Sequence, residues 1–388
     1  MTLVLQLIIW GGIILAIYTY FGYYNLLRIL TRKNKSYVQK SDGDYPYVSI
    51  IIAAYNEEKV IAERIRNIQS LEYPSEKIEV LIGSDGSTDG MNKIINGIKD
   101  ERVNLISFPQ QNGKVGVLNK LVPQAQGEII IFSDANTIFQ PDAVKKMVRH
   151  FNNPEIGGVC GKLELINSNG DLKGWGESQC WEIESNIKKY EGLLNSTIGA
   201  NGGIYAIRKS LFTPLDETRQ LPDDLLIPLF STIHGHRFIY DVDARGTEHT
   251  TYSIWYDFLR RIRIGSANYQ VIRDILPFLS LRNKSIAWSL FSHKVLRWLL
   301  PFIFLAVFGS TIALTGSPFY RILLYIEAAF IASACLGLFF TILNKKVQWF
   351  YYPYYFVFLN CTLLIGFFRY ILGFSSPQWQ TKREKTGK

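Results

Sequence analysis

The sequence predicts an α/β domain with a mostly parallel sheet and flanking helices, joined to several transmembrane helices. Between residues 47 and 254, apolar segments typical of strands alternate with segments typical of helices, which favours parallel strands connected by right-handed crossovers. Polar clusters directly follow several of these apolar segments, and open α/β sheets bind ligands at that edge. Both ends of the chain carry long stretches that are almost free of charge.

The uncharged stretches predict the membrane segments. Residues 1–27 contain no charged side chain and are long enough to cross the ~30 Å hydrocarbon core of a bilayer as a helix. Three further stretches share this property except for one acid, Glu327: residues 298–320, 322–343 and 347–368. We therefore predict an anchor at residues 1–27 and about three transmembrane helices within residues 298–374.

Basic residues beside the first stretch predict its orientation. Arg28, Arg32, Lys33 and Lys35 follow it, and lysine and arginine are enriched on the cytoplasmic side of a membrane segment. The stretch has no charged leader and is longer than the apolar part of a signal peptide, so we expect an uncleaved anchor. We predict an integral protein of the plasma (inner) membrane whose domain at residues 47–254 faces the cytoplasm.

The carboxyl-terminal tail, residues 375–388, conflicts with this layout. Three alternating spans would place the tail outside, whereas its basic residues Lys382, Arg383 and Lys385 favour the inside. Two alternatives remain open: the last segment is re-entrant, or one assigned span lies in the interface.

Charge and cysteine content argue against other classes of protein. The formal net charge is +9, but basic residues cluster beside the membrane segments and form no exposed stripe, so we expect no nucleic-acid partner. The four cysteines have no metal-ligand spacing, which is typical of free thiols in a reducing compartment.

A basic and polar linker, residues 28–46, precedes the strands and helices of the domain. We predict strands at the apolar runs Val48–Ala54, Ile78–Gly83, Val103–Ser107, Ile129–Phe132 and Ile156–Gly161. We predict helices at Glu58–Ser70, from about Asp89, at Val115–Gln124, from Pro141 and at Trp175–Tyr190.

Four polar clusters beside these strands point to a nucleotide-binding edge. They are Tyr55-Asn56-Glu57-Glu58, Ser84–Asp89, Gln111–Lys114 and Ser133–Asn136. Each cluster alone also fits a turn or a helix cap, but four in similar positions favour one shared ligand. Asp85 suits hydrogen bonds to a base or ribose, Lys114 suits a diphosphate, and Asp134 suits a divalent metal held against a phosphate.

Three later segments have both a structural and a functional interpretation. The glycine-rich segment Ile198–Ile207 forms either a tight turn or a place where the backbone approaches a ligand. Asp223 and Asp224 begin a predicted helix, where acids are also good caps. Residues 255–297 are predicted to be amphipathic interface helices, because apolar and arginine side chains separate onto different faces of Trp255–Gln270.

As an ordered set, these motifs resemble the family-two glycosyltransferases with a GT-A fold. The similarity is greatest to the membrane-bound group related to cellulose, chitin and hyaluronan synthases, and it covers about Tyr47 to Gln270. The matching residues are Ala54–Glu58, Ser84–Asp89, Asn112–Lys114 with Leu118 and Asn119, and Ser133–Asn136.

The resemblance implies a nucleotide-sugar donor, a UDP-sugar in our prediction, and a Mg²⁺ or Mn²⁺ ion. Donor-binding roles carry over to Tyr55, Glu57, Asp85, Lys114, Asp134 and Gly202. Asp134 and Asn136 match the Asp-x-Asp of the family and are the implied metal ligands. Asn136 replaces the second acid, and its amide oxygen can still bind such a metal, with less charge.

The resemblance also implies the catalytic residues. Asp224, preceded by Asp223, corresponds to the general base that takes the proton of an acceptor hydroxyl during attack on the anomeric carbon. One base without an enzyme nucleophile implies inversion of configuration. Arg261 matches the arginine of the family's Gln-x-x-Arg-Trp motif and is expected to neutralise the leaving diphosphate, although Phe258 and Ile262 replace its companions.

We predict transfer of a sugar to a growing β-linked polysaccharide, with membrane lipids around the enzyme. The few spans argue against a polymer channel within one chain, which leaves a channel between protomers of an oligomer open. One alternative is a glycolipid-forming transferase that adds one or a few sugars to a membrane lipid. Another is a non-catalytic membrane subunit, for which Asn136 is the best support. The helix at Trp175–Tyr190 either covers the sheet or forms an acceptor wall, since aromatic side chains stack on sugars.

Overall fold

The computed structural model describes residues 1–34, 45–166, 175–233, 235–249, 254–280, 283–343, 345 and 347–378, without the side chains of residues 175–180 and 254. The strands are β1 Val48–Ala54, β2 Ile78–Asp85, β3 Val103–Phe108, β4 Ile129–Ser133, β5 Thr137–Phe139, β6 Ile156–Ile166, β7 Tyr205–Arg208 and β8 Arg237–His249.

The helices fall into a domain set and a membrane-side set. Preceding the domain are α1 Thr2–Ile17 and α2 Tyr23–Leu30, which a single π-helical turn joins. The domain contains α3 Glu58–Gln69, α4 Met91–Asn96, α5 Gly113–Leu121, α6 Ala143–Val148, α7 Trp175–Leu194 and α8 Asp223–Ser231. After it come α9 Ile254–Gln270, α10 Ile272–Ile275, α11 Lys284–Leu290, α12 Leu296–Ala313, α13 Pro318–Ile342 and α14 Gln348–Ile371.

The strands form one eight-stranded mixed sheet in the order β3-β2-β1-β4-β7-β6-β8-β5. The first four strands are all parallel, with Val48 opposite both Ile78 and Ile129, as the alternating pattern predicts. The other half is mixed, because β7 runs antiparallel to both β4 and β6, and β5 runs antiparallel to β8. The prediction of an α/β sheet with flanking helices is therefore confirmed, with more antiparallel pairing than expected.

Both faces of the sheet are covered, which explains why its strands are continuously apolar. In β1, Ile50 and Ile52 pack into one buried cluster and Ile51 and Ala53 into the other. Every residue of β1, β2 and β4 is buried. A strand with two covered faces has no reason to alternate polar and apolar residues.

Four helical segments are long and apolar enough to cross a membrane: Thr2–Leu30, Lys284–Ala313, Pro318–Ile342 and Gln348–Ile371. This number agrees with the predicted single amino-terminal and three carboxyl-terminal segments. The second segment, Lys284–Ala313, begins at α11, before the predicted uncharged stretch that starts at residue 298. Its first turns pack on the domain. Leu290 and Trp298 belong to the same buried cluster as Ile51 of the sheet.

The end of the chain returns to the domain. The helix α14 packs along α9, where a side-chain carbon added at Gly366 would lie 2.7 Å from the backbone nitrogen of Ser266. Beyond α14, Ser375 Oγ lies 2.5 Å from Ser266 Oγ, and the carbonyl of Pro377 contacts Gly113 at the start of α5. Residues 375–378 and the sheet therefore lie on the same side of any membrane.

This position limits the membrane topology. The chain leaves the domain at α11 and is back against it at residue 375, so it crosses the membrane an even number of times in between. The helices α12, α13 and α14 consequently do not all cross. The contact of α14 with the amphipathic helix α9 favours the alternative in which α14 lies in the interface.

A cysteine-accessibility experiment tests this topology. We expect a membrane-impermeable maleimide to label Ser376→Cys from the same side as Ser75→Cys, which lies on an exposed surface of the domain. Ser317→Cys, between α12 and α13, should be labelled only from the opposite side. Labelling of Ser376→Cys together with Ser317→Cys would contradict the even number of crossings.

Candidate active site

A cavity of about 610 Å³ opens at the carboxyl edge of the sheet and collects most of the predicted site residues. Lys114, Asp134, Gly202, Asp223, Asp224 and Arg261 all line it. Among the described residues, the lining does not include Tyr55, Glu57, Asp85 or Asn136, which lie behind the first group.

The ammonium group of Lys114 lies at the centre of the cavity's polar wall. Its Nζ atom is 3.0 Å from Oδ1 of Asp134 and 3.2 Å from Oδ2 of Asp223. Burial would lower the pKa of Lys114, but Asp134, Asp223 and Asp224 outweigh this and raise it above its ordinary value. Lys114 is therefore a permanent cation. Its ammonium group holds together the carboxylate of Asp134, just after β4, and that of Asp223, at the start of α8.

The two acids at the start of α8 have different environments. Asp223 is buried, and it accepts a hydrogen bond of 3.3 Å from the Tyr205 hydroxyl in addition to its contact with Lys114. Burial raises the pKa of Asp223 to about 6, an effect that Lys114 opposes and the charges of Asp224 and Asp134 reinforce. Asp224 is only half-buried and faces the cavity.

The glycine-rich segment brings its backbone against this acidic pair. A side-chain carbon added at Gly202 would lie 3.7 Å from both Oδ2 of Asp224 and Nζ of Lys114. The backbone nitrogen of Ala200 donates a hydrogen bond of 2.6 Å to the carbonyl of Asp224. A larger residue at position 202 would occupy the space between the base candidate and the cation.

Asp85 supports the backbone of a turn and does not line the cavity. Its side chain is fully buried, and its carboxylate accepts hydrogen bonds from the backbone nitrogens of Asn112 at 2.6 Å and Gly113 at 2.9 Å. Gly113 has a φ of +75°, which favours glycine. Asp85 thus fixes the turn that presents Lys114, while its contact with a nucleotide base stays a prediction.

Hydrogen bonds join the first two polar clusters, Tyr55–Glu58 and Ser84–Asp89. The side-chain oxygen of Asn56, which has a φ of +53°, accepts a hydrogen bond of 2.8 Å from the backbone nitrogen of Thr88. Tyr55 is half-buried and Glu57 is buried beside this turn, at the start of α3. The donor-binding roles of Tyr55 and Glu57 stay predictions.

The segment Ser133–Asn136 has two partners that the sequence pattern does not reveal. Arg64 of α3 is fully buried, donates a hydrogen bond of 2.9 Å to Ser133 Oγ, and stacks over Phe139. Burial lowers the pKa of Arg64 to about 9, and the nearby Asp134 opposes this change. Asn136 donates a hydrogen bond of 2.7 Å to Oε1 of Glu248 at the end of β8.

Glu248 is a second carboxylate beside the Asp-x-Asn segment, to which its hydrogen bond with Asn136 joins it. It lines the cavity with Asp134, although it lies 112 residues after Asn136 in sequence. In the part of the chain that the structure describes, no group of three or more acidic, histidine or cysteine side chains forms a metal cage. Asp134, Glu248 and the amide oxygen of Asn136 fit Mg²⁺ or Mn²⁺, which one or two carboxylates and substrate phosphates commonly hold.

The helix α9 contributes arginines to the opposite wall of the cavity. Arg261 is held by Asp257 at 2.8 Å and by the Tyr355 hydroxyl of α14 at 3.0 Å. Arg263 also lines the cavity, and within the described contacts its guanidinium has neither a hydrogen bond nor an ion pair. Burial lowers the pKa of Arg263, with Asp134 among the groups that oppose the change.

A further wall comes from α7, which was predicted either to cover the sheet or to line an acceptor site. Trp181, Glu184 and Lys188 line the cavity, and Trp181 also packs against a buried cluster of the sheet. The helix thus covers the sheet and borders the cavity, and its role as an acceptor wall stays a prediction. Beside them lie His293, Lys294, Arg297 and Trp298, where the membrane-side helices begin. The cavity therefore extends from the sheet edge to the base of the membrane helices.

The fold is that of the GT-A glycosyltransferases. The chain is similar to a mannosyltransferase from Pyrobaculum calidifontis, solved in complex with GDP-Man and Mn2+, with a TM-score of 0.73 and 19% identity. That similarity covers 95% of this chain and 99% of the other.

Residues 49–215 of the chain match the family model described as glycosyl transferase family 2. Over 191 residues the chain is 34% identical to beta-monoglucosyldiacylglycerol synthase of Trichormus variabilis, a match that covers 48% of this chain and 40% of that protein. Over 269 residues it is 25% identical to poly-beta-1,6-N-acetyl-D-glucosamine synthase of Staphylococcus epidermidis, covering 67% and 64%. The chain thus spans less than two thirds of the length of these curated relatives.

We expect Glu248→Gln to weaken the binding of Mn²⁺ in the presence of UDP by about tenfold or more, because it removes one carboxylate and disturbs the orientation of Asn136. Calorimetric titration of Mn²⁺ into the UDP-saturated protein measures this effect. Glu128→Gln, at an exposed acid outside the cavity lining, is the matched control. Equal Mn²⁺ affinity in the two variants would contradict a role for Glu248.

Proposed function

We propose that the chain is a membrane-bound inverting glycosyltransferase that moves a sugar from a nucleotide diphospho-sugar to an acceptor hydroxyl. The observation that carries this proposal is the meeting of Lys114, Asp134 and Asp224 in one cavity at the sheet edge. A cation for the diphosphate, a carboxylate for a metal and a half-buried base are the groups that such a transfer needs.

The donor half of the site consists of the Lys114 turn and the arginines of α9. Lys114 and Arg263 are cations that suit the two phosphates of the donor, and Arg261 adds a third from the same helix. We propose a UDP-sugar, as the resemblance implies. A Mg²⁺ or Mn²⁺ ion held by Asp134, Asn136 and Glu248 would stabilise the charge that develops on the leaving diphosphate.

The two acids have separate roles in this proposal. Asp224 faces the cavity and takes the proton of the acceptor hydroxyl as the hydroxyl oxygen bonds to the anomeric carbon. Asp223 is buried against Lys114 and Tyr205, so it holds the cation in place. Because this proposal uses one base and no enzyme nucleophile, the hydroxyl displaces the diphosphate in a single step and the configuration inverts.

The acceptor that we propose is a membrane lipid. The support is the reach of the cavity to His293, Lys294, Arg297 and Trp298 at the base of the membrane helices. A growing β-linked polysaccharide, which the sequence motifs favour, is the second candidate. It is supported by Trp181 in the same wall, since an aromatic side chain offers a stacking surface for a sugar.

The first experiment uses the purified protein in lipid nanodiscs with Mn²⁺ and a panel of radiolabelled UDP- and GDP-sugars. Label in material that partitions into organic solvent would support a lipid acceptor, and label in high-mass, enzyme-digestible material would support the polysaccharide. Absence of any nucleotide diphosphate release with every donor and both kinds of acceptor would overturn the proposed function.

Asp224→Asn should lower the rate of transfer by roughly 10²–10⁴-fold, the usual contribution of a general base, while UDP binding persists. Asp223→Asn is the comparison variant. It removes the negative charge that holds Lys114 in place, so it should weaken UDP binding as well as transfer. Single-turnover kinetics and UDP titration separate the two effects. Retained turnover in Asp224→Asn would reject the assignment of the base.

Arg263→Ala and Arg261→Ala should each slow transfer more than they weaken donor binding, because the diphosphate gains charge as it leaves. We expect the larger loss, about tenfold to a hundredfold, for Arg263, whose guanidinium is not engaged by a carboxylate of the described chain. Arg273→Ala, at an exposed arginine outside the cavity lining, is the control. An unchanged turnover number in either variant would remove that arginine from the mechanism.

A further inference from the structure

We propose that the membrane end of the cavity is an anion site that holds the phosphate of the lipid acceptor, so that the acceptor is an anionic phospholipid with a hydroxyl-bearing headgroup. The site is formed by Lys294 and Arg297. This inference rests on the proposed transferase function and specifies the acceptor class of the same cavity.

Lys294 and Arg297 share a single carboxylate. Arg297 Nη1 lies 2.8 Å from Oε2 of Glu184, and Lys294 Nζ lies 3.5 Å from Oε1 of the same side chain. Among the buried polar atoms of the described chain, Arg297 Nε has no hydrogen-bond partner. Each of these two cations thus has only a share of the Glu184 carboxylate, and Arg297 keeps a donor for a further acceptor.

The neighbouring acid, Glu191, is a second counter-charge of this cluster, and other donors share it. It accepts hydrogen bonds from the Tyr23 hydroxyl at 2.7 Å and the backbone nitrogen of Ile198 at 2.9 Å. His293 bridges it to Glu184, with ring nitrogens 2.8 Å and 2.7 Å from the two carboxylates. Glu191 is thus engaged by other donors, and with Glu184 it leaves three neighbouring cations, Lys188, Lys294 and Arg297, one positive charge in excess.

The two ends of the cavity differ in their ligands. Of its described lining residues, eight are lysine or arginine and five are aspartate or glutamate, and two of the cations, Arg219 and Arg261, pair with acids outside the lining. A donor diphosphate belongs at the Lys114 end, beside Asp134, and leaves Lys294 and Arg297 at the other end without a ligand. A second anion at that end would complete the balance.

The position of these cations suits the phosphate of a lipid. Lys294 and Arg297 are the last charged residues before an uncharged run of α12, and the buried Trp298 and half-buried Leu363 line the cavity beside them. Basic pockets between membrane helices on the cytoplasmic side are places where lipid headgroups bind. A phosphate there leaves its acyl chains at the level of the apolar helix surfaces.

The anion site and the base line the same cavity. Lys188 of α7, a neighbour of Lys294, donates a hydrogen bond of 3.1 Å to the carbonyl of Ala200, whose own nitrogen donates to the backbone carbonyl of Asp224. A phosphodiester carries no proton for Asp224 to remove, so the attacking group must be a headgroup hydroxyl. Its oxygen bonds to the anomeric carbon, the bond from that carbon to the diphosphate breaks, and the proton passes to Asp224.

The test uses the full chain in phosphatidylcholine nanodiscs with the donor identified by the sugar panel. Phosphatidylglycerol, which has a phosphate and a free headgroup hydroxyl, should accept the sugar. Phosphatidic acid, which has no headgroup hydroxyl, should not accept it, and diacylglycerol, which has no phosphate, should react at least about tenfold less efficiently. Equal use of diacylglycerol and phosphatidylglycerol would overturn the proposal.

The variants separate the anion site from the donor site. Lys294→Gln should raise the KM for phosphatidylglycerol by about tenfold without changing UDP affinity, and Lys294→Arg should restore most of the wild-type value. Lys284→Gln, at an exposed lysine of the same helical segment outside the lining, should behave as wild type. An unchanged KM in Lys294→Gln, in a variant with wild-type thermal stability, would reject the site.

The outcome also distinguishes this proposal from the transferase function. Label that enters a polysaccharide, or only neutral lipid, would contradict the phospholipid acceptor while the transferase function stands. Failure to release nucleotide diphosphate with every acceptor would instead contradict the transferase function itself.

Discussion

The contact of Lys114 with Asp134 and Asp223 is the interaction on which the site depends. Carboxylates from a strand end and a helix start lie within hydrogen-bonding distance of one ammonium group. Without that cation, two acids would share a partly desolvated space and repel each other. Three further hydrogen bonds position the groups of this contact. Asp85 fixes the turn before Lys114, and Tyr205 donates to Asp223. Arg64 donates to Ser133 at the end of the strand.

The cavity spans two environments. Its inner end lies at the carboxyl edge of the parallel half of the sheet, where open α/β sheets bind ligands, and its outer end lies where the membrane-side helices begin. The helices α9 and α14 pack closely against each other at Gly265 and Gly366. Under the proposed function, a water-soluble donor and a membrane-bound acceptor would meet in this cavity.

The return of the chain to the domain links membrane topology to the donor site. Residues 375–378 lie against Gly113, so the segment after α14 forms part of the same cavity as the Lys114 turn. The position of residues 375–378 therefore indicates that this segment and the domain lie on the same side of the membrane. The same residues border the predicted nucleotide-binding edge. The positive-inside rule, applied to the sequence, favours the cytoplasmic side for the tail, but it does not determine whether the number of spans is odd or even.

The sequence by itself determined the parallel half of the sheet, the four apolar segments and the polar clusters beside the strands, because these features depend on local periodicity and composition. Its motifs also selected Lys114, Asp134, Asp223 and Asp224, which the structure brings into one cavity. The tertiary structure decided the antiparallel insertion of β7, the pairing of Asn136 with Glu248, the contacts of Arg261 with Asp257 and Tyr355, and the position of the tail. Each of these depends on contacts between residues far apart in the chain, and such contacts leave no periodic signal in a single sequence.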